Sequence, residues 1–227
     1  MLFRSTLDGL SLATGVRSHA LTPLEAEPGA RYQYSNAGIN TAGRIVEVVS
    51  GMPFETFLDK RLLQPLGMND TTFWPSEAQV ARLALSYKPD AAKTGLEPMP
   101  ISQLHYPLTD KSRGPMPAGG LFSTAADCGR FCRMVLNRGT HEGKRILSEE
   151  SVKALTTRQT PESMKESYGL GFSVSPDSAG HGGAHATGMA IHFKTGRITV
   201  WMVQHAGFPG DGAKARGAFD RAALAVR

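Results

Sequence analysis

Several features that would assign the chain to a nucleic-acid-binding or membrane protein are missing. The 25 Lys and Arg residues against 20 Asp and Glu give a net charge of only +5, and no basic run is longer than a pair. Without a basic stripe interleaved with aromatic residues, we expect no nucleic-acid partner. No apolar run approaches the roughly 20 residues of a membrane-spanning helix, so no membrane partner is expected either.

Cysteine is scarce, and neither cysteine nor histidine is arranged as a metal site. Cys128 and Cys132 are four residues apart in DCGRFCRMVL, on one face of a predicted helix, which favours buried free thiols. His181 and His185 are also four apart, but they lie in a Gly-rich approach to a strand. We therefore expect neither a metal nor another cofactor. The first residues, MLFRSTLDGLSLATG, lack the uninterrupted apolar core of a signal peptide, which makes a cytoplasmic location the default.

The composition that is present predicts an ordinary folded α+β protein. The 227 residues are 41% hydrophobic and 20% charged, and the chain is long enough to bury a large core. Residues 1–160 are predicted to form a mainly helical region with long loops. Residues 161–227 are predicted to form antiparallel strands and a C-terminal helix, and the two regions together to form one compact unit.

Helical spacing is clearest just after a Tyr-Ser-Asn stretch. A helix is predicted there with Gly51 as its stop, and its core face is predicted to be Ile39, Ala42, Ile45, Val46 and Val49. A later helix in STAADCGRFCRMVL is predicted to be capped by Ser123 or Thr124. Another is predicted in SEESVKALTT. Residues 1–33 and about 68–118 show little periodicity and are predicted to be irregular.

The period changes to two toward the C-terminal end. YGLGFSVS, TGMAIHF and RITVWMVQ alternate large apolar with smaller or polar residues, which predicts two or three antiparallel strands. The KTG between the last two reads as their hairpin turn. The final segment predicts an amphipathic helix with an inward face made of Phe219, Ala222, Ala223 and Val226.

Five stretches, in order, resemble the serine β-lactamase-like family. They are EPGARYQYSNAGINTAGRIVEVVSG, LLQPLGMNDTTFWP, PAGGLFSTAADCGRF, GHGGAHATGM and VWMVQ, and they run from about residue 22 to residue 205. The family comprises class C β-lactamases, D-alanyl-D-alanine carboxypeptidases and related carboxylesterases. The resemblance implies a truncated β-lactamase/transpeptidase-like fold, with a helical region, a reduced antiparallel sheet and a C-terminal helix.

The resemblance also implies roles for particular residues. A Tyr-x-Asn loop supplies a phenol that shuttles protons and an amide that orients the substrate carbonyl, and Tyr34 and Asn36 match it. A strand carrying Lys-Thr-Gly, or His-x-Gly in many esterases, forms the opposite wall, and its backbone helps to stabilise the oxyanion. His181, Gly182 and Gly183 match the esterase-like form.

The third family element, a Ser-x-x-Lys pair on a helix, has no match in this sequence. No serine is followed by a lysine three residues later. Only 33 residues precede Tyr34, and LFRS near the start resembles the loop that follows that helix, so the chain is predicted to begin after the family nucleophile. Ser35 is the first substitute nucleophile to consider, and Asn36 is also expected to serve as a helix cap.

Three functions remain open on this basis. The first is a hydrolase of carboxylic esters, lactones or related acyl compounds that uses Tyr34, Asn36 and His181, with water or Ser35 as nucleophile. The second is a non-catalytic relic that binds small acyl ligands or nothing, and the third is a fragment completed by another chain. A homo-oligomer is predicted in each case, because a reduced fold should leave apolar side chains exposed, namely Ile39, Val46, Phe172 and Trp201.

Overall fold

The computed structural model describes residues 8–226, which form two units. The first is the described part of Met1–Leu83 together with Ser102–Ser123, and the second is the described part of Ala84–Ile101 with Thr124–Arg227. The chain passes between the units three times, after residues 83, 101 and 123. The predicted division at residue 160 stays a prediction. LFRS lies outside the described residues. Within residues 8–226, no helix has the length and apolar character needed to cross a bilayer.

The first unit is helical. Its elements are α1 (Leu12–His19), α2 (Asn36–Ser50), α3 (Phe54–Leu58), which continues as a π-helical turn (Asp59–Leu63), and α4 (Glu77–Val80). Helix α1 falls where no pattern was predicted. Its N-cap Ser11 accepts a hydrogen bond from the backbone N–H of Thr14, but Leu12 is its one buried residue among those described. At eight residues, the helix is too short for a repeated apolar spacing to stand out in the sequence.

Helix α2 begins and ends as predicted, but its core face is not the predicted one. Gly51 ends it in the left-handed conformation at φ 67°. The buried residues are Asn40 and Gly43, whereas most of the predicted face is exposed: Ile39 (45%), Ala42, Ile45 (57%) and Val49 (81%), with Val46 half-buried. The Oδ1 of Asn40 accepts the backbone N–H of Ala118, and a Cβ on Gly43 would collide with Pro117. Close backbone approach therefore selects this face.

A buried carboxylate joins the start of the described chain to the segment 102–123. The Oδ2 of Asp8 accepts a hydrogen bond from Nε of Arg113 (2.6 Å), and its Oδ1 accepts the backbone N–H of His105 (3.0 Å). Arg113 also donates through Nη1 to the carbonyls of Leu108 (2.6 Å) and Phe73 (3.1 Å). Both members of the Asp8–Arg113 ion pair are almost fully buried. This cluster closes the first unit around its apolar core.

The second unit holds every strand found among the described residues. An antiparallel sheet has the order β5 (Ser173–Ser175), β6 (Ser178–Gly182), β7 (Gly188–His192), β8 (Arg197–Trp201). Two hairpins, β1 (Ser86–Pro89) with β2 (Leu96–Met99) and β3 (Thr140–His141) with β4 (Lys144–Arg145), are separate. The sheet is antiparallel as predicted. It has four strands where two or three were predicted, because SAGHG carries no alternating apolar pattern that would reveal β6.

Three helices accompany this sheet: α5 (Ala125–Leu136), α6 (Glu149–Thr156) and α7 (Lys214–Ala225). Helix α5 packs on β7 and β8, and Thr124, not Ser123, caps it by accepting the N–H of Asp127. Cys132 is fully buried with its Sγ 3.6 Å from Sδ of Met189, and burial raises the pKa of its thiol to about 12. Both cysteines are free thiols, as predicted.

The aromatic side chains predicted to be exposed on the sheet are covered within the second unit. Phe172 is buried against Phe131, with ring centroids 6.3 Å apart, and Trp201 packs on Phe219 of α7 at 4.9 Å. The C-terminal helix therefore covers the sheet, but less of its face turns inward than predicted. Ala222 and Val226 are exposed. A side chain near a helix end cannot be buried where the sheet does not extend beneath it.

Candidate active site

Tyr34 lies in an extended loop immediately before α2. Its side chain is 58% exposed, as expected for a group that meets a ligand and not for a core tyrosine. The loop ends at Ser35, whose backbone is extended at φ −140° and ψ 112°. This change from extended to helical backbone fixes the position from which the Tyr34 side chain projects.

The hydroxyl of Ser35, and not the amide of Asn36, caps α2. Ser35 Oγ accepts the backbone N–H of Gly38 at 3.1 Å, and Asn36 is the first helical residue, with an exposed side chain. The predicted capping role of Asn36 is therefore wrong, because serine one position earlier already satisfies the orphan donor. The role of Ser35 as a substitute nucleophile stays a prediction. Its hydroxyl already caps α2.

His181 lies inside β6, where the sequence pattern placed only the approach to a strand. It pairs with Met189 of β7, and its Nδ1 lies 2.5 Å from the carbonyl oxygen of Gly182. Because a carbonyl can only accept, Nδ1 carries a proton in this contact. The ring is half-exposed. His181 is thus held on a rigid strand.

The two glycines after His181 make the turn that leads from β6 to β7. Gly182 pairs with Gly188, and the N–H of Gly183 donates to the carbonyl of Thr187 at 2.9 Å. A Cβ on Gly183 would collide with Oγ1 of Thr187. A side chain at 183 would therefore require the Thr187 side chain to change its rotamer. The other spelling of the family motif, Lys194-Thr195-Gly196, is the turn between β7 and β8, as predicted.

The predicted site residues are distributed over both units. Tyr34, Ser35 and Asn36 belong to the first unit, whereas His181, Gly182 and Gly183 belong to the second and are neighbours on one strand end. That the two groups line a single cleft stays a prediction. Between residues 8 and 226, no group of three or more His, Cys, Asp and Glu side chains is arranged to hold a metal ion.

Comparison with known proteins identifies the family. The family model described as Beta-lactamase matches residues 5–223. Protein Rv1367c of Mycobacterium tuberculosis (strain ATCC 25618 / H37Rv) is 32% identical over 217 residues, which cover 82% of this chain and 52% of that protein. The chain thus spans about half the length of this curated relative.

Two solved structures extend the comparison. EstCE1, described as a hydrolase with promiscuous acyltransferase activity, superposes with a TM-score of 0.76 at 21% identity, over 99% of this chain and 64% of its own. The octameric penicillin-binding protein homologue from Pyrococcus abyssi gives a TM-score of 0.63 at 26% identity, over 84% and 43%. The fold is therefore β-lactamase/transpeptidase-like. With the family model covering nearly its whole length, the chain belongs to the serine β-lactamase-like family.

Proposed function

We propose that the chain is a hydrolase of carboxylic esters, lactones or related acyl compounds. The observation that carries this proposal is family membership together with a His-Gly-Gly strand end, in which Nδ1 of His181 contacts the carbonyl of Gly182. A structural neighbour described as a hydrolase with acyltransferase activity is consistent with acyl chemistry on this fold. Small acyl compounds are the expected substrates.

In this proposal each residue contributes one step. The amide of Asn36 orients the substrate carbonyl, and the phenol of Tyr34 passes a proton between nucleophile and leaving group. The backbone at the end of β6 donates to the developing oxyanion, where preorganised donors have their largest effect. His181 is the proposed general acid–base group. An ester is favoured over a β-lactam, because Lys194-Thr195-Gly196 is a hairpin turn and not the strand motif.

The experiment that tests the proposal removes the two titratable groups separately. Tyr34→Phe and His181→Ala should each lower kcat/KM for p-nitrophenyl acetate by about 10²-fold or more, the range of a single general acid–base group. The matched controls are Tyr106→Phe, a tyrosine of similar exposure (53%), and His192→Ala on β7. Both control variants should retain the wild-type rate, and circular dichroism checks that every variant is folded.

Different results point to different conclusions. Wild-type protein that turns over neither p-nitrophenyl acetate nor a homoserine lactone would contradict the hydrolase proposal and favour the ligand-binding alternative. Turnover that survives both site variants would leave hydrolysis in place but remove Tyr34 and His181 from it. If the effects of the two variants on kcat/KM are strongly non-additive in the double variant, the residues act on the same step, which supports a shared cleft.

We further propose that the chain forms a homo-oligomer through an apolar face of α2. This α2 face consists of five exposed side chains: Ile39, Ala42, Ile45, Val48 and Val49. Val48 is 66% exposed and Val49 is 81% exposed, which is unusual for adjacent β-branched residues on a well-formed helix. The octameric relative provides a precedent for self-association on this fold. A second copy of the chain is the occupant to which this proposal commits.

A further inference from the structure

A serine and a histidine that no sequence motif connects are hydrogen-bonded in the second unit. Ser86 Oγ lies 3.1 Å from Nδ1 of His185. Ser86 is the first residue of β1, and His185 lies in the turn between β6 and β7, 99 residues later. A hydroxyl within hydrogen-bond distance of an imidazole is the minimal arrangement that activates a serine nucleophile.

The backbone around this pair is held from several sides. Tyr87 donates its N–H to the carbonyl of Gln204 (3.0 Å) and accepts the N–H of Ala206 (2.7 Å). The N–H of His205 donates to the carbonyl of His185 at 3.2 Å. Ser86 also pairs with Met99 across the β1–β2 hairpin. The hydroxyl and the imidazole therefore sit on fixed backbone, as a catalytic pair requires.

The protonation of His185 favours the role of base. Burial, and next the neighbouring His205, lower the pKa of His185 below its ordinary value of 6.5. The ring is therefore neutral at pH 7. With the proton on Nε2, the lone pair of Nδ1 faces Ser86 Oγ and can accept its proton.

His205 adds a buried donor beside the pair. His205 is only 6% exposed, and its Nδ1 accepts the N–H of Gly207 at 3.1 Å. The neutral ring therefore carries its proton on Nε2, and this nitrogen is buried without a hydrogen-bond partner among the described residues. An unsatisfied buried donor is unfavourable, so this atom is suited to bind a polar ligand atom.

We propose that Ser86 is the nucleophile of the hydrolase, with His185 as its base and His205 as a donor to the substrate. This inference rests on the proposed hydrolase function and names its missing nucleophile. In it His185 carries the proton that the proposed function assigns to Tyr34. Because Ser86 is only 5% exposed, the site admits small acyl groups such as acetyl and discriminates against long ones.

The reaction balances with ester and water alone. Ser86 Oγ bonds to the ester carbonyl carbon while its proton passes to Nδ1 of His185. The bond to the leaving alkoxide breaks, and the alkoxide takes that proton from His185, which leaves an acyl-Ser86 ester. Water then attacks this ester, gives a proton to His185, and Ser86 recovers the proton as the carboxylic acid departs.

Covalent labelling of the full chain tests this assignment. The wild-type protein is treated with p-nitrophenyl acetate and, separately, with diisopropyl fluorophosphate, and the modified residue is located by peptide mass spectrometry. We expect the acyl and phosphoryl groups on Ser86. His185→Ala should slow labelling by about 10²-fold, the size of a lost general base. Ser173→Ala on β5 and His192→Ala on β7 are matched controls and should label at the wild-type rate.

The outcomes separate this inference from the hydrolase proposal. Labelling of a different residue, or of no residue in folded wild-type protein, overturns the role of Ser86. If p-nitrophenyl acetate is still hydrolysed in Ser86→Ala, the hydrolase proposal stands and Ser86 is not the nucleophile. Labelling of Ser86 without turnover supports a reactive site and contradicts the hydrolase proposal. If Ser86→Ala does not fold, the labelled residue that mass spectrometry locates in the wild-type protein decides whether Ser86 is the nucleophile.

Discussion

Replacing Asp8 with asparagine should lower the free energy of unfolding by about 3–5 kcal/mol at pH 7, the range for breaking one partner of a buried ion pair. This is a large part of the roughly 5–15 kcal/mol that holds a typical domain together. The variant leaves Arg113 charged and buried without its counter-ion. Urea unfolding monitored by tryptophan fluorescence measures the change, since Nε1 of Trp74 donates to the carbonyl of Arg113 at 2.9 Å and reports on this cluster.

The geometry explains why the amide cannot replace the carboxylate. Asp8 accepts hydrogen bonds from Arg113, from the His105 backbone N–H and from its ring nitrogen Nδ1, the last at 2.9 Å. A carboxylate accepts all of these, whereas the NH₂ group of asparagine would face another donor. The carbonyl of Asp8 in addition accepts the N–H of Gly114 at 2.8 Å. The Asp8→Asn substitution therefore weakens every contact that the carboxylate makes with the segment 102–123.

The effect should depend on pH in a defined direction. Burial alone would raise the pKa of Asp8, but hydrogen bonds from Arg113 and His105 outweigh it and hold the pKa below its usual 3.8. A depressed folded-state pKa contributes stability that is complete above the unfolded value of about 3.9 and is lost as pH falls through the folded value. The difference between wild type and Asp8→Asn should therefore shrink below about pH 4.

The control for this prediction is Asp177→Asn, which changes an exposed carboxylate in the turn between β5 and β6. It should alter the free energy of unfolding by less than about 0.5 kcal/mol, as expected for a surface change. Equal effects of Asp8→Asn and Asp177→Asn would show that the buried ion pair adds nothing. A difference that stays constant down to pH 3 would contradict the role of the Asp8 charge.

Local patterns predicted the elements of this chain better than they predicted its packing. Periodicity located α2, and a glycine located its end, because both depend on residues close in sequence. The prediction of the buried face of α2 was wrong, because that face depends on the distant partners Ala118 and Pro117. Asn40 and Gly43 are buried by what they contact and not by their hydrophobicity. The number of apolar residues on a face therefore does not identify the core when another backbone approaches closely.

The residues of the candidate site were predicted only where they form a contiguous sequence motif. Tyr34, Asn36 and His181 were found through contiguous motifs. His185 was considered only as a metal ligand and Ser86 not at all, because residues 99 apart in sequence carry no sign that they meet. The Asp8 cluster is equally hidden, since its partners lie about 100 residues away. Pairs created by tertiary contact, whether structural or reactive, require the fold.

Disrupting the α2 face should change the size of the particle. In a symmetric dimer, four large side chains from each copy would be covered, and each fully buried side chain contributes roughly 1.5–3 kcal/mol. That sum is enough to offset an association cost of about 4–15 kcal/mol. Val49→Asp places a charge at the most exposed side chain of this surface. We expect the variant to be a folded monomer of 24.3 kDa at concentrations where the wild type is larger.

Multi-angle light scattering at micromolar concentration measures this difference directly. Val226→Asp is the matched control, because Val226 is as exposed as Val48 (both 66%) and lies at the far C-terminal end. It should leave the wild-type mass unchanged. A monomeric wild type would contradict self-association, and a Val49→Asp variant that stays oligomeric would move the contact away from α2. Either result would also leave the exposed face of α2 available for a partner other than a second copy of this chain.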